Sequence, residues 1–569
     1  MTIHERRTLT AVARGAAGAD LYLRGASVLN VYTGEVLAAN VAIKGERIAY
    51  VGTGHEMVRS RTEVLDLSGR VLVPGYLEPH AHPGSLITPS ALAAHVLPLG
   101  TTALVGDTLQ FWELGGPRAL RTAIDGLSAS PFRFYWMLRV EGQSQRGHDA
   151  PTFRLRDLER ALRHPRVVAV GEVTRWPAVY GGDPDLLTRL ELAHARGKRV
   201  EGHTAGAAAD KMAAIAAGGL TSDHEPITAR EVLERARQGI AVMLRESSLR
   251  PDLRALLDAL KDAPALASRL MLTADGAMPQ FVHDHGFTDH CLRLAMAGGV
   301  APIDAYRMAT LNPASYFRLD NDLGGIAPGR YADICVLGDL AEPRPEMVIA
   351  RGRVAARDGR LLVSVPEAPW SRVYVGPRAR LTVRWRARPD DFALPSRERY
   401  PVIRLVSAAI TRLEERPLAA GDLHAAVIDR QGRWTAPGVL AGFGDVDGFA
   451  ATMSTDFNIV AMGRSREAMA AAVNRVLDVH GGAVLVDKGV VVSELATPIG
   501  GIMLPASLVE AARVERALHV ALSERGYPYH DPMYTLYFLT ADFLPAVRLT
   551  ALGVWDVKRR RVLLPSRRR

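Results

Sequence analysis

Two parts of the chain alternate apolar and polar residues with a period of two, which is the pattern of half-buried β-strands. One part spans residues 20–73, with runs such as "DLYLRGASVLNVYTG" and "NVAIKGERIAYVG" separated by glycine-rich turns, and the other spans residues 324–362. The two parts flank a long central region in which apolar and polar residues follow a different periodicity. We therefore predict that residues 1–70 and 320–384 build one small, split β-sandwich domain.

The central region alternates short apolar runs with segments of helical periodicity. Segments such as "DPDLLTRLELAHARG" and "GAAADKMAAIAAGG" repeat their apolar residues every three to four positions. The runs that we interpret as strands are "VLVPGYLEPH", "TTALVGD", "FRFYWMLRV", "RVVAVGEV", "KRVEGHT", "LTSDHE", "AVMLRE" and "LMLTAD". Eight strands that alternate with helices predict a TIM-like (β/α)8 barrel over residues 71–319.

The last region, residues 385–569, mixes strand patterns such as "GAVLVDKGVVVSEL" with helical ones such as "REAMAAAVNRVLDVHG". We predict a C-terminal α+β domain here, and an α/β fold class for the chain. The region ends in the basic tail "VKRRRVLLPSRRR". Such a tail can attract nucleic acid or membranes, but no aromatic residues interleave with the charges. We therefore interpret it as a solvated, partly frayed terminus.

Composition narrows the class of protein. The 569 residues are 48% hydrophobic and 23% charged, with a net charge of +9, which is typical of a multidomain globular protein. No apolar run reaches the roughly 18 residues that a membrane span needs, and the N-terminus lacks a signal-peptide pattern. The two cysteines, Cys291 and Cys335, form neither a disulfide framework nor a zinc motif. We expect a cytoplasmic protein without nucleic-acid or membrane partners.

Ligand-type side chains stand at the ends of five predicted barrel strands. They are His80 and His82 after the first strand, Glu172 after the fourth, His203 after the fifth, His224 after the sixth and Asp275 after the eighth. Chemistry in such barrels lies at the C-terminal strand ends. A lone His-x-His pair or a single histidine is more often structural, but six such residues at one face predict a common metal site.

The spacing and residue types suggest how this site works. Residues i and i+2 of a strand point the same way, so His80 and His82 can bind one ion together. Neutral imidazoles suit zinc, iron, nickel or copper, and the two oxygens of Glu172 can bridge a pair of ions. Two ions that share a hydroxide generate a nucleophile near neutral pH. Asp275 can accept its proton and pass it to the leaving group.

The order His-x-His, Glu, His, His, Asp on a barrel with a split β-domain resembles the amidohydrolase superfamily, and more closely the bacterial adenine deaminase family. The motifs behind this resemblance are "VPGYLEPHAH", "TPSALAAHVLPLGTTALVGD", "VGEVTRWPAVYGGD", "SDHEPITAREVLERARQGIAVMLRESS", "RMATLNPASYF", "GGIAPGRYADICVL", "NIVAMG", "AVNRV" and "ELATPIGGIM".

The resemblance implies two divalent transition-metal ions (zinc, manganese or iron), with Glu172 in the bridging position and the four histidines as further ligands. It implies catalytic roles for Asp275, Glu172 and His224, with Asp275 in the acid/base position. The implied reaction is the hydrolytic deamination of adenine, in which hydroxide attacks the ring carbon that carries the amino group. The resemblance also implies a homo-oligomer, a dimer or larger.

The chain departs from the family's motifs at three places. Pro83-Gly84-Ser85 replaces the start of "IESS", Thr108-Leu109-Gln110 replaces "PHE", and residues 454–458 read "STDFN" in place of "HDSHN". None of the six ligands changes, so we expect a retained hydrolytic centre in a rebuilt, more apolar pocket. The predicted substrate-binding residues are Asp107, Leu109, Trp112, Trp176, Arg245, Glu246 and Phe457. A structural salt bridge at Arg245 and Glu246, and simple packing of the two tryptophans, are the alternatives.

Three functions therefore remain open. The first is a metal-dependent hydrolase of C–N bonds that acts on an aminopurine or a related heterocycle. The second is an amidase or cyclic-amide hydrolase with a more apolar small-molecule substrate and the same binuclear centre. The third is a barrel that has become a non-catalytic interaction module, and the presence of all six ligand-type residues argues against it.

Overall fold

The computed structural model describes residues 1–145, 152–376, 378–381 and 385–569. The predicted boundary between residues 384 and 385 falls next to residues 382–384, which lie outside the described part of the chain.

Eight parallel strands form the central sheet, as the sequence predicts. They are β1 (Tyr76–Ala81), β2 (Thr101–Asp107), β3 (Arg133–Leu138), β4 (Val167–Val173), β5 (Arg199–Gly202), β6 (Ser222–Asp223), β7 (Ala241–Arg245) and β8 (Leu270–Thr273). Each strand pairs with its neighbours along the chain, and a parallel bridge between Ala81 and Asp275 joins the two ends of the sheet. The sheet thus nearly closes into a (β/α)8 barrel, which confirms the predicted fold class.

Helices alternate with the barrel strands along the chain. They are Pro89–Val96, Leu109–Gly126, Leu155–Leu162, Trp176–Tyr180, Pro184–His194, Ala209–Ala217, Ala229–Arg237, Leu253–Leu257, Ala259–Asp262, Pro279–His285, Thr288–Ala297, Pro302–Ala309 and Leu311–Tyr316, with a 3₁₀ turn at Pro264–Ser268. Helix Pro184–His194 shows why such segments fold locally. The Asp183 side chain accepts a hydrogen bond from the Leu186 amide at 2.9 Å, and Leu186 and Leu190 are buried one turn apart.

A seven-stranded sheet combines strands from both flanking regions. Its strands are Ser27–Asn30, Glu35–Ala38, Val71–Pro74, Ile334–Leu337, Met347–Ala350, Arg353–Arg357 and Arg360–Leu361. Strand Val71–Pro74 pairs in parallel with Ser27–Asn30 and antiparallel with Ile334–Leu337. Because this strand belongs to the sheet of the flanking regions, we propose that the barrel begins at Tyr76 rather than at residue 71.

A four-stranded sheet from the N-terminal region alone completes the split β-sandwich. Its strands are Leu21–Arg24, Asn40–Lys44, Arg47–Gly52 and Glu63–Asp66. One hydrophobic cluster contains buried residues of both sheets, such as Leu23 from the smaller sheet and Leu72 and Ile334 from the larger one. Helix Ile3–Ala13, for which the sequence analysis predicted no element, precedes these strands and begins with a capping box between Thr2 and Glu5.

The C-terminal region has its own sheets and helices. The strands of the nine-stranded sheet are Tyr400–Leu405, Thr411–Arg416, Leu423–Ile428, Trp434–Ala441, Gly448–Ala451, Ile459–Gly463, Gly482–Asp487, Val490–Ala496 and Arg567–Arg568. The three-stranded sheet contains Val547–Thr550, Gly553–Asp556 and Arg561–Pro565. The helices are Arg466–Asp478, Leu508–Ser523 and Pro532–Leu539, with a 3₁₀ turn at Pro389–Phe392, and the short helix Trp370–Val373 precedes the region.

The interpretation of the basic tail as a partly frayed terminus is wrong. Residues 561–565 form a strand that pairs with Gly553–Asp556, and Arg567 and Arg568 pair with the nine-stranded sheet. Leu564 lies in the hydrophobic core of this region, with 1% of its surface exposed. Backbone pairing and one well-buried leucine outweigh the mutual repulsion of the arginines, so the tail is part of the fold.

The C-terminal region packs directly on the face of the barrel that carries the predicted site. The short strand Met503–Leu504 pairs with Leu86–Ile87, which closely follows β1. The Tyr534 hydroxyl donates to the Gly276 carbonyl at 2.5 Å, one residue after Asp275. None of the helices in the described ranges combines the length and apolar character that a bilayer span requires.

Candidate active site

The six predicted ligands converge at the C-terminal ends of the barrel strands. His80 and Glu172 lie within β1 and β4, whereas the other four follow directly after β1, β5, β6 and β8. All six contribute to a set of overlapping groups of metal-binding side-chain atoms. The site therefore forms where the closure of the barrel brings residues from distant parts of the chain together.

One group consists of His80, His82 and Asp275. The Asp275 Oδ1 atom lies 3.1 Å from His80 Nε2 and 3.2 Å from His82 Nε2, and the two nitrogens are 3.2 Å apart. Asp275 adopts a left-handed backbone conformation, with φ at 47°, which aspartate tolerates better than most residues. These three atoms make a nearly equilateral triangle.

The other group consists of Glu172, His203 and His224. Glu172 Oε1 contacts His203 Nδ1 and lies 3.4 Å from His224 Nε2, and the two ring nitrogens are 3.2 Å apart. The second oxygen of Glu172 points towards His82, with 4.0 Å between Oε2 and Nε2. Glu172 thus lies between the two groups, where its two oxygens can serve both.

The spacing within each group fits a metal ion. Zinc binds nitrogen and oxygen ligands at about 2.0 to 2.2 Å in a tetrahedron, which places neighbouring ligand atoms about 3.3 Å apart. The triangle around Asp275 has sides of 3.1, 3.2 and 3.2 Å. Two sides of the triangle around Glu172 measure 3.2 and 3.4 Å. Both donor sets are imidazole and carboxylate, so the residues present are able to hold divalent ions.

Two further carboxylates, neither of them predicted in this role from the sequence, orient the histidines of the site. Glu201 is fully buried and lies 2.7 Å from His224 Nδ1 and 3.6 Å from His80 Nδ1. Asp107 lies 3.2 Å from His82 Nδ1. A carboxylate behind a ligand histidine fixes the ring and leaves its other nitrogen for the ion. The period of two that selected His80 and His82 also marks Glu201, which stands two residues before His203.

Arg139 was also missed, and it links the two halves of the site. Its guanidinium is fully buried and donates to Asp107 Oδ1 at 2.8 Å, to Asp107 Oδ2 at 3.0 Å and to the Glu172 carbonyl at 2.7 Å, and it contacts the Glu172 carboxylate. Burial raises the pKa of Asp107, but Arg139 and His82 outweigh it and lower that pKa to about 2. Asp107, predicted to bind substrate, is therefore occupied in positioning His82.

Glu78 supports the opposite side of the site. It is fully buried inside the barrel and accepts hydrogen bonds from the Thr273 hydroxyl at 2.6 Å and from the Ala274 amide at 3.0 Å. Burial raises the pKa of Glu78 to about 7. Because Thr273 ends β8, this carboxyl group fastens the segment that carries Asp275 to β1.

Arg245 ends β7 and reaches the site, as predicted, but as part of an ion-pair chain. Its Nη1 atom lies 3.3 Å from Asp275 Oδ2 and contacts Glu225, a further residue that the sequence analysis missed. Burial acts to raise the pKa of Glu225, and Arg245 outweighs it and lowers that pKa to about 2. Both residues line the cavity above the site, so their charges face the reacting groups.

A cavity of about 830 Å³ opens above the six ligands. Five of the predicted substrate-binding residues line it, namely Asp107, Leu109, Trp176, Arg245 and Phe457. Trp112 does not, because its ring is fully buried against Phe153 and its Nε1 donates to the Thr152 carbonyl at 3.1 Å. Glu246 does not either, because it is buried beside helix Leu253–Leu257 and accepts from the Leu253 amide at 3.3 Å. Trp112 thus lies where its packing alternative places it, whereas Arg245 pairs with Glu225, Asp252 and Asp275 instead of forming the alternative salt bridge with Glu246.

The C-terminal region supplies much of the cavity wall. Its contributions, apart from Phe457, include Ser454, Thr455, Tyr534, Tyr537, Phe538, Phe543 and Leu544. The Phe543 ring meets the edge of the His203 ring, with 5.1 Å between the centroids. The cavity is therefore a joint product of the barrel and the C-terminal region, and many of its lining residues are apolar.

Comparison with known proteins gives the same picture along the whole chain. The sequence profile of the amidohydrolase family matches residues 71–355, and that of the adenine deaminase C-terminal domain matches residues 410–561. A protein of Halalkalibacterium halodurans, provisionally named an adenine deaminase, is 34% identical over 98% of this chain and 97% of its own. The adenine deaminase of Moorella thermoacetica is 33% identical, with 97% and 96% covered. That of Rubrobacter xylanophilus is 34% identical, with 97% and 95% covered.

Proposed function

The chain belongs to the amidohydrolase family, and on that premise we propose that it is a hydrolytic deaminase of an aminopurine or a related amino-substituted heterocycle. The observation that supports this proposal is the pair of ligand triangles with Glu172 between them, at the base of the cavity. The near full-length similarity to adenine deaminases points to the same C–N chemistry.

The side chains have distinct roles in this proposal. His80, His82, His203, His224 and Glu172 would hold two divalent ions, zinc, manganese or iron. Ions bound by these residues would make water acidic enough to act as a nucleophile near neutral pH. Asp275 exposes its carboxylate to the cavity, accepts the proton of the attacking water and delivers it to the leaving nitrogen.

Arg245 and Glu225 position Asp275 rather than react themselves. Arg245 lies on the Oδ2 side of the carboxylate at 3.3 Å, while His80 and His82 lie on the Oδ1 side. The carboxylate is therefore held from both sides, so that it does not rotate away from the substrate.

The cavity wall favours a second candidate, an amidase or cyclic-amide hydrolase with a more apolar substrate. Leu109 and Phe457, which stand where the related motifs have polar residues, both line the cavity. Removal of hydrogen-bonding groups from a pocket discriminates strongly against the substrate that needs them. The reaction would use the same ions and the same Asp275, with attack on an acyl carbon instead of a ring carbon.

The two candidates are separated by product analysis of the metal-loaded protein. A panel of aminopurines and other aminoheterocycles is compared with a panel of linear amides and lactams, and ammonia release is measured together with ring opening. Ammonia release from an aminoheterocycle at kcat/KM of about 10⁴ M⁻¹s⁻¹ or more supports the first candidate. Ring opening or acyl cleavage alone supports the second.

A matched variant tests the role of the wall. Leu109→His with Phe457→His restores the residue type of the related motifs, and the control is Trp112→Phe, a residue of the neighbouring core that does not line the cavity. If Leu109 and Phe457 determine substrate specificity, the double variant gains activity on adenine relative to the wild type, and the Trp112→Phe control does not. We also propose a cytoplasmic homo-oligomer, a dimer or larger, and light scattering of the purified protein tests the oligomeric state.

A further inference from the structure

The basic segment that ends the chain reaches the mouth of the cavity. Lys558 and Arg560 lie in the turn between strands Gly553–Asp556 and Arg561–Pro565, and both line the cavity. Lys211, from helix Ala209–Ala217 on the barrel side, lines it as well. Cations from two separate parts of the fold therefore face one opening.

These three cations differ from the other positive charges of the cavity. Arg245 and Arg250 each pair with carboxylates, Glu225 among them. Within the ranges that the structure describes, Lys211, Lys558 and Arg560 form no ion pair. Lys211 instead places its ammonium 5.4 Å from the centroid of the Trp176 ring, which holds the charge at the cavity wall.

One carboxylate of this wall, Glu231, is directed to the backbone rather than to these cations. Glu231 lines the cavity, but its Oε2 atom accepts a hydrogen bond from the Ile227 amide at 2.7 Å, at the start of helix Ala229–Arg237. Among the described residues, the three cations at the mouth are therefore not held in direct ion pairs and can contact a ligand. Unpaired cations at a cavity mouth attract anionic ligands.

We propose that the cavity selects a substrate with an anionic group, a carboxylate or a phosphate, at the end distant from the reacting carbon. The cavity of about 830 Å³ has room for such an extension beyond a bicyclic base. Apolar side chains, such as Phe457 and Phe538, line the cavity together with the basic residues and four of the six predicted ligands, which are His82, Glu172, His203 and Asp275. This inference rests on the proposed function and adds a recognition element to it.

The test measures the binding of matched ligands to the zinc-loaded full-length protein by titration calorimetry. The ligands are adenines with an alkyl chain of increasing length on the imidazole nitrogen, each ending in a methyl, a carboxylate or a phosphonate group. At the chain length that spans the cavity, an anionic end is expected to lower the Kd about tenfold, and added salt is expected to reduce this preference. The comparison of carboxylate with phosphonate identifies the preferred anion.

The chain offers a matched control for these charges. Lys558→Gln with Arg560→Gln is expected to remove most of the preference, and Lys211→Gln part of it. Arg559→Gln with Arg561→Gln removes the same charge from the same hairpin, at positions that do not line the cavity, and is expected to retain the preference. Absence of any preference in the wild type, or its equal loss in both double variants, would overturn the proposal. If the preference is present but no compound releases ammonia, the proposed deaminase function fails and the anion selectivity stands.

Discussion

Glu515 provides a quantitative test of how the C-terminal region docks on the barrel. It lies in helix Leu508–Ser523 with 6% of its surface exposed, and its Oε2 atom accepts from the Gln280 amide at 2.8 Å in helix Pro279–His285. That helix begins directly after Met278, which lines the cavity. Burial, with a further contribution from Asp531, raises the pKa of Glu515 from 4.5 to about 8.

A raised pKa makes the folded state bind a proton that the unfolded chain has released. The free energy of unfolding of the wild type therefore falls as the pH rises from about 4.5 to about 8, and is level above that range. Glu515→Gln keeps an acceptor for the Gln280 amide and carries no titrating group. At 1.36 kcal/mol for each pKa unit, the variant is expected to be more stable than the wild type by up to about 3 kcal/mol at pH 7 and by about 1 kcal/mol at pH 5.

Thermal unfolding of both proteins between pH 5 and pH 8 measures this difference. We expect the melting temperature of Glu515→Gln to exceed that of the wild type by a margin that widens with pH. A stability difference that stays constant from pH 5 to pH 8 would show that burial does not raise the pKa of Glu515.

The remaining predictions concern the site and its supports. The Asp275→Asn variant is expected to retain its metal content while kcat falls by about 10² or more. Metal analysis and turnover measurements check both expectations. Turnover near that of the wild type would show that Asp275 is not the acid/base group. Arg139→Met leaves two buried carboxylates without their cation and is expected to cost about 3 kcal/mol or more in stability, measured by urea unfolding, with Arg139→Lys as the milder control. The fully buried guanidinium of Arg548 donates to four backbone carbonyls of residues that line the cavity, namely Phe538, Leu544, Pro545 and Ala409. Arg548→Met removes these hydrogen bonds. It is expected to raise KM more than it lowers kcat, and an unchanged KM would contradict this positioning role.

Local patterns along the chain determined the barrel and the ligands. Apolar runs of strand length and the helical periodicity between them are properties of neighbouring residues, and each of the eight runs contains a barrel strand. The candidate ligands could be predicted for the same reason, because closure of the barrel places all strand ends at one face, whatever the details of packing. The same alternation extends to Glu78 and Glu201, so a stricter use of the period of two would have found both.

Only the tertiary structure decided which polar residues face the substrate and which support the ligands. Trp112 and Glu246 stand near strand ends, yet packing of the helices that follow turns them away from the cavity. Arg139 joins Asp107 to Glu172 across more than thirty residues in each direction. Tyr534 reaches Gly276 across 258 residues.

The basic tail is a further feature whose structure the sequence alone did not determine. The charges of the tail are visible in the sequence and indicate a solvated segment. The neighbouring residues do not reveal that Leu564 packs into a hydrophobic core. Composition and periodicity report what each segment can bury, and therefore determined the strands, the helices and the candidate metal ligands. Which surfaces meet depends on contacts between segments hundreds of residues apart, and for that reason the cavity wall, its basic mouth and the supports of the site were decided only in the folded chain.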